Sequence, residues 1–132
     1  MKKLIIALAL VASTANAAQT VDEANIAKAN ALAEMATAIE NHGPALGVTP
    51  EGMRNPAGVA LKFTGGLHDV VAQGLARGAT CEQITTAVNN GPVAAMNQDG
   101  KSVAGVASFT LALSEYAAAD CVTTRARMEA AK

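Results

Sequence analysis

Few side chains in this sequence could perform acid–base or nucleophilic chemistry, and they are widely separated. His68 and Asp69 are the only adjacent imidazole and carboxylate, but neighbouring residues in a helix do not face each other. A nucleophilic triad would have to combine His68 with Ser102, Ser108 or Ser114. No GxSxG, SxxK or HExxH motif accompanies these residues. We therefore assign no catalytic residue. A small hydrolase or metal-dependent enzyme using His68 and Asp69 is kept as an alternative function.

The sequence also lacks a recognisable metal or cofactor motif. Methionine and histidine together can hold copper, but here they are scattered singly, which is more typical of residues that fill a core. No CxxCH haem attachment, phosphate-binding loop or acidic calcium loop is present. The sequence predicts neither a metal nor a cofactor. The residues considered as copper ligands are Met35, Met53, Met96, Met128, His42 and His68.

The two cysteines, Cys81 and Cys121, are predicted to form a disulfide. An even count in an exported chain favours a bridge, and closing a loop of about 40 residues stabilises by roughly 4 kcal/mol on the chain-entropy estimate. The alternative is a redox-active thiol at Cys81, whose pKa the first turn of a helix would lower. Without a CxxC motif, the bridge is the favoured interpretation.

Residues 1–17 have the pattern of a bacterial signal peptide. Lys2 and Lys3 precede the apolar run of residues 4–12, and Ala15-Asn16-Ala17 is a small-x-small cleavage site. The run has about nine residues, whereas a spanning helix needs roughly 20. Position 18 is alanine, so the cysteine of a lipoprotein is missing. We expect a periplasmic or secreted protein with no stable membrane insertion after cleavage.

The composition of residues 18–132 predicts one helical domain with a thin core. Alanine is abundant and favours helices, whereas Phe63, Phe109 and Tyr116 are the only aromatic residues. Loss of two lysines with the signal peptide leaves eight of the ten basic residues against eleven acidic ones. Because no basic stripe is present, nucleic acid is excluded as a partner and a membrane surface is disfavoured.

Capping residues and helix-stopping glycines and prolines divide the mature sequence into four helical segments. Thr20 and Thr80 each begin a capping box, and Gly43 is expected to end the first helix in the left-handed conformation. The pair Gly65-Gly66 could interrupt the second helix. A strand over residues 103–113 is the main competing interpretation, since its β-branched residues also suit strands. The predicted helices cover residues 21–41, 57–77, 81–90 and 103–120. Residues 93–97 and 122–132 are predicted to extend two of these helices beyond Pro92 and Asp120. A turn is predicted at residues 98–101, and Ser102 is predicted to cap the last helix.

Two stretches of the sequence recur at nearly one spacing. Residues 37–44 resemble 86–92, and residues 57–64 resemble 104–110, with offsets of 49 and 47. Either the chain contains a duplicated helical hairpin, or an alanine-rich sequence repeats by chance. The duplication predicts an all-α fold, a small bundle of two helical hairpins. The Cys81–Cys121 disulfide is expected within the second hairpin, where it joins the start of one helix to the end of its antiparallel partner.

One short segment carries a family resemblance. Thr80-Cys81-Glu82 at the head of a helix, with a second cysteine 40 residues later, is similar to the periplasmic acid-stress chaperones. The resemblance covers these few residues, and the roughly 60 residues that precede them in the mature chain have no counterpart in it. It implies a chaperone-like function as an alternative. The leading hypothesis is a non-enzymatic protein that acts by binding an unknown protein partner or itself.

Overall fold

A computed structural model describes residues 19–100 and 103–132, and these residues form an all-α fold. The predicted signal peptide and the predicted cap Ser102 lie outside the described residues. The predicted all-helical bundle is confirmed. Its helices are α1 (Val21–His42), α2 (Pro56–Ala76), α3 (Cys81–Val88), α4 (Ala94–Gly100) and α5 (Val106–Ala130), with a short 3₁₀ turn at Gly52–Arg54.

Helix α1 begins where the sequence predicts but ends differently in detail. Thr20 Oγ1 accepts a hydrogen bond from the backbone N–H of Glu23 at 3.1 Å. The prediction that Gly43 is left-handed is wrong, because its φ is −50°. The left-handed glycine is instead Gly47, with φ of +86°. A Cβ at position 43 would lie 2.5 Å from the backbone carbonyl oxygen of Ile39 and would also meet the end of the Met53 side chain, so a larger residue would require these groups to shift.

Helix α2 runs unbroken through Gly65-Gly66, so the predicted interruption does not occur. Asn55 caps its start by accepting from the N–H of Gly58 at 3.0 Å, and Pro56 occupies the first turn, where its missing N–H costs nothing. Gly78, with φ of +87°, ends the segment. The caps therefore define this helix as the sequence predicts.

Helices α3 and α4 form one bent helical path. Thr80 and Gln83 make the predicted reciprocal capping box at the start of α3. The wide turn Asn89–Val93 then accommodates Pro92, which cannot donate a backbone hydrogen bond, and the path continues to Gly100. The pair Gly43-Pro44 follows the end of α1, whereas the corresponding pair Gly91-Pro92 lies within the helical path of α3 and α4. The two segments therefore differ in structure, and an internal duplication is not supported.

Helix α5 is longer than predicted, and the strand alternative for residues 103–113 is wrong. Gly105 precedes the helix with φ of +85°, and the helix runs from Val106 to Ala130. The predicted extension over residues 122–132 is thus part of the same helix as far as Ala130.

The other helices pack around α5. Helix α1 has the most extensive contact with α5. The two helices are antiparallel, because Lys28 contacts Asp120 near one end of α1 and His42 lies against Gly105 at the other end. Helix α2 runs parallel to α5, because Phe63 packs on Phe109 and His68 contacts Asp120. The first predicted hairpin is α1 with α2. The second is the α3–α4 path with α5, where Cys81 meets Cys121 and Asn89 meets Ser114. The main core comprises Ala31, Met35, Ala38, Ile39, Ala60, Leu67, Val88, Val93, Phe109, Ala112, Leu113 and Ala117.

The predicted disulfide is present and joins α3 to α5. Cys81 is the first residue of α3, and its Cα lies 5.6 Å from that of Cys121. The predicted helix, which ended at Asp120, would place Cys121 at the end of α5. The bridge lies within α5 instead, because the helix continues to Ala130. Among the described helices, none combines the length and apolar character needed to cross a membrane.

Candidate functional site

Three helices each contribute one charged or titratable side chain to a cluster around a buried carboxylate. Lys28 comes from α1, His68 from α2 and Asp120 from α5. Asp120 is 0% exposed. Its Oδ1 lies 2.8 Å from Lys28 Nζ, and its Oδ2 lies 2.8 Å from His68 Nδ1. Since a buried carboxylate costs several kcal/mol unless it is paired, these two contacts account for its position in the core.

The periodicity of α5 places Asp120 on the buried face. Asp120 follows Leu113 and Ala117 at spacings of seven and three residues, and both of these residues are buried in the core. The sequence prediction missed Asp120 and Lys28 because it considered carboxylates beside histidine in sequence. A carboxylate on the apolar face of a helix was the signal that could have identified this residue.

Lys28 is held by contacts on several sides. Its Nζ donates to Thr123 Oγ1 at 3.3 Å and lies 5.5 Å from the centroid of the Tyr116 ring. Oδ1 of Asp120 accepts no well-aligned hydrogen bond, so its contact with the ammonium group is mainly ionic. The lysine side chain retains 21% exposure, which leaves the charge partly hydrated.

The carboxylate fixes the orientation of His68. An ionised carboxylate can only accept, so Nδ1–H of His68 donates to Asp120. Nε2 is left for a second partner, and the side chain is 39% exposed. The same orientation serves histidines that act as bases or metal ligands. Within residues 19–100 and 103–132, no serine or cysteine side chain bonds to this imidazole.

The other predicted participants lie elsewhere. Asp69 is exposed, and the cluster uses Asp120 in its place. Ser108 donates to a backbone carbonyl at 3.1 Å, and Ser114 donates to the side chain of Asn89 at 2.6 Å. The structure therefore does not bring these two hydroxyls together with the imidazole of the cluster.

The methionines and the second histidine are also dispersed. Met35 is buried in the core, Met53 and Met96 pack against it, and Met128 is partly exposed on α5. His42 contacts Gly105, at the far end of α5 from the cluster. In the part of the chain that the structure describes, no three His, Cys, Asp or Glu side chains are grouped as metal ligands.

A groove between α1 and α5 is the second feature that could bind another molecule. It has a volume of about 370 Å³. Glu34 on one side of the groove interacts with Glu115 of α5. Partial burial raises the pKa of Glu115 above its ordinary value, and the Glu34 carboxylate raises it further by repulsion and by a hydrogen bond. The groove is lined by Ala33, Glu34, Thr37, Ala38, Asn41, His42, Ser108 and Leu111.

No protein-family model, curated protein or solved structure matches this chain.

Proposed function

We propose that this chain is an exported, non-enzymatic interaction protein that binds another protein or a second copy of itself. The observation that carries the proposal is the set of large apolar side chains on the outer surfaces of the helices. Ile26, Leu61 and Leu111 are 62%, 57% and 58% exposed. They belong to α1, α2 and α5, so apolar surface is left on three helices of a small domain.

The thin core gives this exposure a physical reason. Five of the twelve buried residues of the main core are alanine, and each buried alanine removes little apolar area from water. Burial of the exposed leucines and isoleucine against a partner would add hydrophobic stabilisation that the isolated domain lacks. The disulfide is consistent with an oxidising compartment outside the cytoplasm.

Light scattering on the chain purified from the exported fraction tests the proposal. We expect the mass to rise above that of one chain as the concentration increases, and mass spectrometry should show that the chain begins at Ala18. A strict monomer at high concentration would exclude self-association and leave only a separate partner. Client binding that appears only on acidification would instead support the chaperone-like alternative.

The pairing of His68 with Asp120 favours a hydrolase as the second candidate function. The carboxylate orients the imidazole as a general base, with Nε2 facing away from Asp120. The test is hydrolysis of a panel of small esters and amides by the purified chain and by the His68→Gln variant. Activity that disappears in the variant would support the enzyme, and equal background rates in both would exclude it.

A further inference from the structure

The groove between α1 and α5 has the dimensions of a seat for one face of a third helix. Its lining on α1 extends over residues 33–42, which span about 13 Å along the helix axis. Thr37 and Ala38 are short side chains within this lining, and Leu111 faces them from α5 with 58% of its surface exposed. An elongated groove between two packed helices fits a row of side chains at spacings of three and four residues on a partner helix.

The charged side chains along the groove are acidic. Residues 29–42 of α1 and residues 106–119 of α5 include Glu34, Glu40 and Glu115 but neither lysine nor arginine. Glu34 lines the groove itself. The two helices that form the groove therefore supply it with negative charge and with no cation to offset that charge.

The packing of α1 on α5 places two of these glutamates at the same end of the groove. The contact of Lys28 with Asp120 fixes the register of the antiparallel pair. Glu34 follows Lys28 by six residues, and Glu115 precedes Asp120 by five. The two glutamates therefore lie at nearly the same level, within roughly 3 Å along the helix axes. Both are about one helical turn from the level of Leu111, so one cation beside the apolar part of the groove is attracted by both carboxylates.

We propose that the groove binds an amphipathic helix of another protein, in which a lysine or arginine lies one helical turn from a large apolar side chain. The apolar side chain packs on Leu111, and the basic side chain approaches Glu34 and Glu115. Asn41 and Ser108 line the opposite end of the groove and offer uncharged hydrogen-bonding groups there. The inference rests on the proposed protein-binding function, and it names the surface and the chemistry of the partner.

Two synthetic helical peptides test the charge of the partner when their binding to the exported chain is measured by fluorescence anisotropy. One peptide carries leucines at spacings of three and four residues with lysines one turn away, and the other has glutamate in place of every lysine. We expect the lysine peptide to bind at least about tenfold more tightly, with the difference shrinking as added salt screens the charges. Equal affinities for the two peptides would overturn the proposal.

Matched substitutions test whether the lysine peptide occupies this groove. Leu111 and Leu61 are 58% and 57% exposed, but Leu61 lies on α2 and does not line the groove. Leu111→Lys should weaken binding at least about tenfold, whereas Leu61→Lys should leave the affinity within about threefold. Glu34→Lys should also weaken binding more than Glu40→Lys, an exposed change on the same helix outside the lining. Equal effects of each groove variant and its control would overturn the site.

Sedimentation equilibrium of the same variants without peptide separates this inference from the function on which it rests. A chain that self-associates but binds neither peptide overturns the groove and leaves the proposed function standing. Self-association that is lost in Leu111→Lys and kept in Leu61→Lys assigns the groove to a second copy and overturns a separate basic partner. A monomer that binds neither peptide overturns the groove and self-association together. If circular dichroism shows that Leu111→Lys is unfolded, Leu111→Gln replaces it and should weaken peptide binding in the same direction.

Discussion

The carboxylate of Asp120 is held between groups from two other helices. Removing a carboxylate and an ammonium from water costs several kcal/mol, and their attraction roughly offsets that cost. The cluster therefore contributes little net stability, but it makes one arrangement of α1, α2 and α5 strongly preferred. Any slip of α1 along α5 would separate Lys28 from Asp120 and leave the buried charge unpaired.

Removing Asp120 and removing Lys28 from this cluster should destabilise the fold by different amounts. We expect Asp120→Asn to lower the free energy of unfolding by about 3 kcal/mol, the low end for a broken buried pair, because Lys28 is 21% exposed and can reach water. Lys28→Met should cost more, since the carboxylate it abandons is 0% exposed. Urea unfolding at neutral pH measures both. Equal losses, or losses below about 1 kcal/mol, would show that the charges are not buried as described.

The interaction between Glu34 and Glu115 beside the groove predicts that a substitution of Glu34 changes the pKa of Glu115. Glu34→Gln should lower the pKa of Glu115 towards its ordinary value of 4.5, because the charge and hydrogen bond of Glu34 help to raise it. Carboxyl NMR titration of Glu115 measures this directly. Glu40→Gln, an exposed change on the same helix, is the control and should leave that pKa unaltered. An unchanged Glu115 titration in Glu34→Gln would mean that the two carboxylates do not interact.

The same pair affects stability through proton linkage. A raised pKa means that the folded state holds its proton more tightly than the unfolded state. The stabilisation is therefore present below pH 4.5 and is lost as pH rises from that value through the raised pKa. Glu34→Gln should reduce this loss. We expect the gain at neutral pH to be a few tenths of a kcal/mol, as for other exposed charge pairs, when unfolding is measured at concentrations where the chain is monomeric.

At the scale of the helices, two glycines in different conformations should respond in opposite ways to the same substitution. Gly65→Ala should stabilise by about 0.5 to 1 kcal/mol, because a Cβ in this exposed turn of α2 meets nothing within 4 Å. Gly105→Ala should destabilise by about 1 to 3 kcal/mol, since φ is +85° and a Cβ would lie 2.6 Å from His42. Thermal unfolding compares them. Similar shifts in the same direction would contradict the assigned conformations.

Local sequence predicts the starts of α1, α2 and α3 well, whereas α5 begins at Val106 and not at the predicted residue 103. Thr20, Asn55 and Thr80 bond to backbone groups within three residues of themselves, so their effect does not depend on the rest of the fold. The ends depend more on packing. Gly43 keeps helical dihedral angles just after α1 and lies close to Met53. Helix α2 passes through Gly65-Gly66, and residues on either side of this pair, Ala60 and Leu67, are buried in the core.

The cluster around Asp120 could not be predicted in the same way. Its members lie 40 and 52 residues apart along the chain, at positions 28, 68 and 120, and they meet only after α1 and α2 have packed on α5. By contrast, the disulfide could be predicted, because a sequence with a predicted signal peptide and two cysteines offers only one intramolecular pairing.

On the scale of the whole molecule, the bridge ties the short helix α3 to the centre of the bundle. Cys121 is buried and packs with Val71 and Ile84 in a cluster separate from the main core. It also directly follows Asp120 in the chain. The covalent bond and the charged cluster therefore constrain the same turn of α5, one from the side of α3 and the other from α1 and α2.

Loss of the disulfide should consequently be costly. A Cys81→Ser, Cys121→Ser double variant is expected to lose about 2 to 4 kcal/mol in the free energy of unfolding, because its unfolded chain regains the freedom of a loop of about 40 residues. Each single variant should lose at least as much, since it also leaves a free thiol. Urea unfolding measures the loss. Thiol titration of the denatured, unreduced protein tests the premise, and two free thiols per chain would refute the bridge.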